Sequence, residues 1–408
     1  MTSFFGDKNF GRPKILFIGL GESTHTHAWI DLLQDTKFDA RLFALPTGAP
    51  PSDWMVPTYL TAYEHRFANA GARRTLHSRK PFVRFSARNA ARLRRISLPE
   101  MTDRWLANIV RTWRPDIIHT LGIDPAGEYF FRLRKSYALE GLGCWVLQTR
   151  GGSDMALMRF DDERRPLFED TVRGADQIIF DNVENKKILM AVGVRPEQLA
   201  WIAPVPGTGG IDIDGISSRL KIRPSDRRTI VWPKAYEVRW SKALPVFEAI
   251  KLIWSQIQPC EIHMLAMNDE SRMWYAALPE EVRKHCHAYE RISRDAVLQL
   301  FADARIMLAP SLVDGVPNSL YEAMATGAFP IVSPLDTIRP LVEEGRNVLF
   351  ANNLYPDQIA ACLVRAMSDD ALVDSAAREN LALVKQLADR GRIRARVIEF
   401  YEQLALTH

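Results

Sequence analysis

The feature that most constrains the fold is a repeated switch between short, unbroken apolar runs and stretches with helical spacing. The runs are Lys14–Leu20, Arg41–Leu45, Asp116–Thr120, Cys144–Gln148 and Gln177–Phe180. Each is too short for a typical helix and almost continuously apolar, as expected of a strand buried on both faces. The helical stretches between them supply the crossovers of a parallel sheet, which are right-handed. The pattern halts at Pro204, Pro206, Gly207, Gly209 and Gly210. It restarts with Thr229–Trp232, Glu261–Leu265, Arg305–Ala309 and Phe329–Val332. The spacing therefore predicts an α/β chain of two doubly wound domains, residues 1–208 and 209–389. A final helix over 390–408, apolar at Ile393, Val397, Phe400, Tyr401 and Leu404, is expected to return to the N-terminal domain. A chain of 408 residues is long enough for two such cores.

Composition narrows the class. Hydrophobic residues make up 47% and charged residues 25%, a globular balance. No apolar run reaches the ~18 residues of a transmembrane helix. The N-terminus, with Thr2, Ser3, Asp7 and Lys8, lacks the apolar core of a signal peptide, so a cytoplasmic location is expected. Cys144, Cys260, Cys286 and Cys362 are scattered without metal-ligand or redox spacing and read as reduced thiols. Net charge is only +4, but Arg73–Arg95 holds Arg73, Arg74, Arg79, Lys80, Arg84, Arg88, Arg92, Arg94 and Arg95 with no acid among them. Phe82, Val83 and Phe85 interleave with these charges. This segment reads as a contact with an anionic membrane surface, which would make the protein peripheral on the inner face of the cytoplasmic membrane. An anionic acceptor and a plain solvated face are the other readings of the same residues. No nucleic-acid partner is expected.

The segment Pro310–Gly327 carries the chemistry: Pro-Ser-Leu-Val-Asp-Gly-Val-Pro-Asn-Ser-Leu-Tyr-Glu-Ala-Met-Ala-Thr-Gly. A buried strand ends at Ala309, a Gly/Pro loop follows, and a helix begins that Asn318 or Ser319 can cap. Open parallel sheets bind ligands at this carboxyl edge. A helix N-terminus there offers unpaired N–H groups and the positive end of its dipole to an anion such as a diphosphate. Asp314 on the loop and Glu322 about one turn into the helix can accept from hydroxyls on either side of the phosphates.

These residues resemble the acidic-x7-Glu signature of family-4 glycosyltransferases of the GT-B fold. The resemblance implies two Rossmann-like domains facing across a cleft. It implies that Asp314 contacts a donor sugar and Glu322 the ribose of its nucleotide, with Gly315, Asn318, Ser319 and Leu320 around them. Asp314 is one methylene shorter than the Glu usual in the family. The loop Val231–Lys242 matches the family's diphosphate clamp, for which Lys242, then Arg239, then Lys234 are the candidates. Such cations offset charge on a leaving diphosphate without a metal. Arg291 and Ile292 match a loop that frames the base through its backbone.

The N-terminal half resembles the family less closely. Gly19–His27 follows the first strand and contains a Gly-x-Gly, but the third glycine of a dinucleotide fingerprint is missing and no acid ends the second strand at Leu45-Pro46. Gly21, Ser23, His25 and His27 are candidates for sugar or acceptor contacts. Arg114–Gly122 is similar to the family's Pro-Asp-x-x-His-x-His segment, with His119 at the first histidine and Leu121 in place of the second. Thr149–Asp154 is similar to its Gly-Ser-Asp loop, with Asp154 as candidate, although a helix cap explains that sequence equally well. Asp212-Ile213-Asp214 is discounted as a metal motif, and no metal is expected.

The resemblance as a whole implies a retaining, metal-independent transferase. Its donor is a nucleoside-diphosphate sugar, a substrate rather than a cofactor. Its acceptor is a glycan, a lipid-linked species or a small molecule, as in polysaccharide biosynthesis. The rival readings are a nucleotide-sugar epimerase of the same fold and a catalytically silent nucleotide-sugar-binding subunit, the latter suggested by Leu121 and Asp314.

Overall fold

The computed structural model describes residues 11–45, 48, 50–51, 53–60, 75–76, 98–151, 155 and 158–407. Its contacts divide into two compact units. The first runs to Arg150, resumes through Gly209 and takes in the chain from Arg392 onward; the second is essentially Gly210–Gly391. Each unit is built on one parallel sheet.

In the first unit the strands are β1 (Lys14–Leu20), β2 (Asp39–Leu45), β3 (Thr58–Leu60), β4 (Thr75–Leu76), β5 (Ile117–Leu121), β6 (Cys144–Gln148) and β7 (Gln177–Ile179). They lie in the order β4-β3-β2-β1-β5-β6-β7, all parallel. The helices are α1 (Thr24–Ile30), α2 (Leu98–Trp113), α3 (Glu128–Ser136), α4 (Arg165–Gly174) and α5 (Val183–Ala191). Alternation along the strands sends Leu16, Ile18, Ile118 and Leu147 to one face, under Val110, Phe130 and Phe168 of α2, α3 and α4. It sends Ile15, Phe17, Ile117 and Val146 to the other, under Trp29 of α1 and Val397 and Phe400 near the C-terminus. Burial on both faces is what the unbroken apolar runs require.

In the second unit the strands are β8 (Thr229–Trp232), β9 (Glu261–Met264), β10 (Cys286–Ala288), β11 (Ala304–Ala309), β12 (Phe329–Val332) and β13 (Leu349–Phe350), in the order β10-β9-β8-β11-β12-β13. This sheet too is parallel throughout. Its helices are α6 (Ile213–Ser217), α7 (Leu244–Ile257), α8 (Asp269–Ala276), α9 (Glu280–Arg283), α10 (Arg294–Asp303), α11 (Asn318–Thr326), α12 (Pro356–Ser368) and α13 (Asp370–Leu387). On β11, Ile306 and Leu308 face the core shared with α7 and α12, while Met307 faces α10, α11 and α13. The last helix, α14 (Arg390–Thr407), contributes Ile393, Val397, Phe400 and Tyr401 to the core of the first unit.

The nine sequence-read strands are all present. The structure adds β3, β4, β10 and β13, each of two or three residues and none adjacent to the central strand of its sheet. Asp212 is the N-cap of α6, its carboxylate accepting from Gly215 N at 3.1 Å.

Candidate functional site

The order of the second sheet reverses between β8 and β11: the chain builds outward from β8 to β10 and then returns to the other side of β8. A reversal of this kind opens a crevice between the loops that leave the two central strands. Here those loops are 233–243 and 310–317. Trp240 O accepts from Leu312 N at 2.9 Å and from Val313 N at 3.2 Å, which ties one loop to the other. Asn353, 2% exposed, adds a third. Its amide donates to Pro310 O at 3.1 Å and Lys242 O at 3.0 Å, and its carbonyl accepts from Lys242 N at 2.8 Å.

This scaffold brings together side chains far apart in sequence. Lys234 Nζ donates to Asp314 Oδ2, while Asp314 Oδ1 accepts from Gly315 N at 2.9 Å. Burial disfavours the Lys234 ammonium, but Asp314 and Tyr236 more than offset it and hold the amine above its ordinary pKa. Lys242 Nζ lies 3.0 Å from Glu237 Oε1, and Glu237 is itself anchored by Ala243 N at 2.7 Å. Arg239 is exposed on the same loop.

Beyond the loop, α11 begins at Asn318, with Leu320, Ala323 and Met324 turned into the core. It stops at Gly327, whose φ of 77° is a left-handed cap favouring glycine. A Cβ on Gly327 would also stand 3.1 Å from Pro224 and 3.2 Å from Ala377. The sequence expectation for the other end is corrected. Neither Asn318 nor Ser319 holds the cap position: it belongs to Pro317, extended at φ −71° and without a side-chain cap bond. Both residues therefore lie inside the first turn. The Ser319 hydroxyl is buried without a hydrogen-bond partner.

Glu322 is 4% exposed. Arg294, the first residue of α10, places Nη2 2.7 Å from Glu322 Oε1. This ion pair takes up Oε1, an oxygen closed off from solvent. Burial pushes the Glu322 carboxyl above the usual carboxylate range, and Arg294 pulls it part of the way back. Just before α10, Arg291 is exposed and Ile292 is half-buried against the core.

In the first unit the candidates separate. Gly21 O accepts from His27 Nε2 at 2.6 Å, and the His27 ring lies 4.7 Å from that of Trp54. A Cβ on Gly21 would fall 2.3 Å from Gly48 O, so the backbone packing there requires glycine. Ser23 sits at the head of α1 without capping it, and His25 is half-buried on that helix. His119 is wholly buried: its Nδ1 meets Tyr401 Oη at 2.6 Å, between the rings of Phe17 and Trp29. Burial, with Arg150 nearby, pushes its pKa down to about 3. The structure thus takes His119 into the core rather than to an open edge. Asp154 lies outside the described residues, as does Arg73–Arg95 apart from the backbone of β4.

Arg294, Glu237 and Asn353 escaped the sequence reading. No local pattern marks them, because each acts on a partner in another segment or through a backbone turn.

The two parallel-sheet units are those of the GT-B fold. Residues 227–369, from just before β8 to just after α12, match the family model described as Glycosyl transferases group 1. The segment that carries the site therefore bears a glycosyltransferase domain. No curated protein sequence matches the chain. Among solved structures, HepE of Anabaena in complex with UDP-glucose is similar with a TM-score of 0.68 at 13% identity, over 96% of this chain and 99% of that one. Sucrose-phosphate synthase from Thermosynechococcus elongatus gives 0.69 at 15%, over 97% and 100%. The UDP-forming α,α-trehalose-phosphate synthase from Burkholderia vietnamiensis gives 0.64 at 11%, over 96% and 100%. At such identities the likeness speaks for the fold.

Proposed function

We propose that the protein is a retaining, metal-independent glycosyltransferase that moves a sugar from a nucleoside-diphosphate sugar to a glycan, a lipid-linked species or a small molecule. The observation that carries the reading is Glu322, a buried carboxylate on α11 that Arg294 meets at one oxygen, Oε1. A carboxylate withdrawn from water is costly unless its acceptor positions find donors, and a ligand can supply those of Oε2. Ribose hydroxyls are donors of the right kind. The first turn of α11 then faces the diphosphate. Lys242, Arg239 and Lys234 supply the positive charge that offsets the leaving group. Asp314, held by Lys234, orients the donor sugar in this reading.

In this scheme the leaving phosphate takes the acceptor's proton on the face it departs from, so configuration is retained and no enzymic nucleophile is needed. The first unit is the acceptor side, with Gly21, Ser23, His25 and Asp154 as its remaining candidates. HepE is in complex with UDP-glucose and the Burkholderia synthase is UDP-forming, so UDP-sugars are the first donors to try.

The test is a thermal-shift series with UDP-, GDP-, ADP- and CMP-sugars, followed by an assay of transfer or donor hydrolysis with and without EDTA. A donor at about 100 times its dissociation constant adds about 2.7 kcal/mol of stability. Activity is expected to survive EDTA. Loss restored by Mn²⁺ or Mg²⁺ would refute metal independence, and no response to any nucleotide sugar would sink the whole reading.

A further inference from the structure

Glu322 poses an electrostatic problem that the residues around it solve in an uneven way. Its carboxylate is withdrawn from water, yet a carboxylate that accepts from hydroxyls works best ionised, because charge-assisted hydrogen bonds are roughly twice as strong as neutral ones. Burial alone drives it toward the neutral form. The opposing influence is Arg294, and among the described residues no other charged group acts on Glu322. Helices α6, α10 and α13 all pack against α11. Of the charges they carry, Asp295 pairs with Arg219 at 2.6 Å, Asp370 with Arg305 at 2.7 Å and Glu379 with Arg346, and Asp374 accepts from Ser225. The others are Asp214 on α6, Asp303 on α10, and Arg378 and Lys385 on α13.

The geometry of the pair is informative. An arginine set side-on to a carboxylate forms two parallel hydrogen bonds and uses both oxygens. Arg294 instead meets one oxygen, Oε1, at 2.7 Å, from a side chain that is 64% exposed. It lends charge from the rim at Oε1 and leaves Oε2 for a ligand.

We infer that Arg294 is a positioning residue of the nucleotide site, holding Glu322 by Oε1 and keeping it ionised while Oε2 is left for the ribose hydroxyls. The inference rests on the nucleotide-sugar reading and adds a residue to it. Because Arg294 is largely exposed and starts its helix, its replacement leaves the core intact, and thermal unfolding of each variant checks this directly.

The experiment is isothermal titration with UDP, with GDP and ADP in parallel, from mildly acidic to mildly alkaline pH. The proteins are the wild type, Arg294→Gln, Arg294→Lys and Glu322→Gln. Removing the guanidinium moves the Glu322 carboxyl further up, so more of it is protonated at neutral pH and alkali restores the charge. Arg294→Gln is therefore expected to bind more weakly than the wild type toward the acidic end of the range and to recover as pH rises. Arg294→Lys should stay close to the wild type throughout. Unchanged or tighter binding by Arg294→Gln, or a loss by the same factor at every pH, overturns the inference. Glu322→Gln separates the two levels. If it leaves binding unaltered, the ribose assignment fails and this inference with it. If it weakens binding while Arg294→Gln shows no pH-dependent loss, only the role of Arg294 falls.

Discussion

At the scale of single residues, the two carboxylates of the site are set up for different work. Glu322 is buried and met by Arg294 at one oxygen, whereas Asp314 has a partner at each, Lys234 at Oδ2 and Gly315 N at Oδ1. Glu322→Ala is expected to weaken free nucleoside-diphosphate binding by about 1.5–3 kcal/mol, the worth of a hydrogen bond to a charged group. Asp314→Ala should lower sugar-nucleotide turnover far more than diphosphate affinity. Equal losses of diphosphate affinity in the two variants, read by calorimetry, would remove the distinction. Both acids were legible in the sequence because one short segment carries strand end, loop and helix start together. Arg294 was not, since its partner lies 28 positions away on another helix (322 − 294). The cap was misread for a local reason: a proline directly before Asn318 holds the extended conformation of a cap, so the helix starts one residue earlier than a polar cap would place it.

At the scale of elements, the strands flanking the central crossovers could be read from apolar continuity, because burial on both faces leaves no polar position to confuse the pattern. Outlying strands such as Cys286–Ala288 and Leu349–Phe350 are too short to show a period. The same locality explains His119. In sequence it sits in a Pro-Asp-x-x-His segment that suggests a ligand contact, and its actual neighbour is Tyr401 of α14, 282 residues on. The phenol accepts from Trp29 Nε1 at 2.9 Å and shares a second hydrogen bond with His119 Nδ1 at 2.6 Å, so one hydroxyl joins α1, β5 and α14. Tyr401→Phe strands two buried groups and is expected to cost about 1–3 kcal/mol in urea unfolding. The pH dependence follows from the depressed pKa. His119 is neutral in the fold, with its pKa moved from the ordinary 6.5 to about 3. The unfolded chain takes up a proton below 6.5 that the folded chain refuses. This contribution to stability is therefore complete above 6.5 and is lost as pH falls from there toward 3. His119→Phe should flatten that limb of the stability–pH curve; an identical acid limb in wild type and variant would contradict the assignment.

At the scale of the whole molecule, the remaining question is where a chain of this composition works. No helix among the described residues is long and apolar enough to cross a membrane. Its net charge of +4 is small, yet the stretch Arg73–Arg95 concentrates nine basic residues without an acid. A uniform surface of that net charge would have no preferred orientation toward an anionic bilayer; a concentrated stretch would. Each Lys or Arg near such a surface contributes about 1 kcal/mol, decaying within a Debye length of about 8–10 Å at moderate salt. Phe82, Val83 and Phe85, interleaved with the charges, add shallow apolar insertion. We propose on this basis that the protein is peripheral on an anionic membrane and meets a lipid-linked acceptor there. In liposome co-sedimentation the bound fraction should rise with the proportion of anionic lipid and fall with added salt. Converting Arg84, Arg88, Arg92 and Arg95 together to Gln removes about 4 kcal/mol of attraction by the same rule and should release the protein at moderate salt. The same variant should keep its affinity for UDP, because the proposed nucleotide site lies in the second unit. If the wild type fails to bind anionic liposomes even at low salt, the membrane proposal is wrong and the acceptor is to be sought among soluble glycans and small molecules.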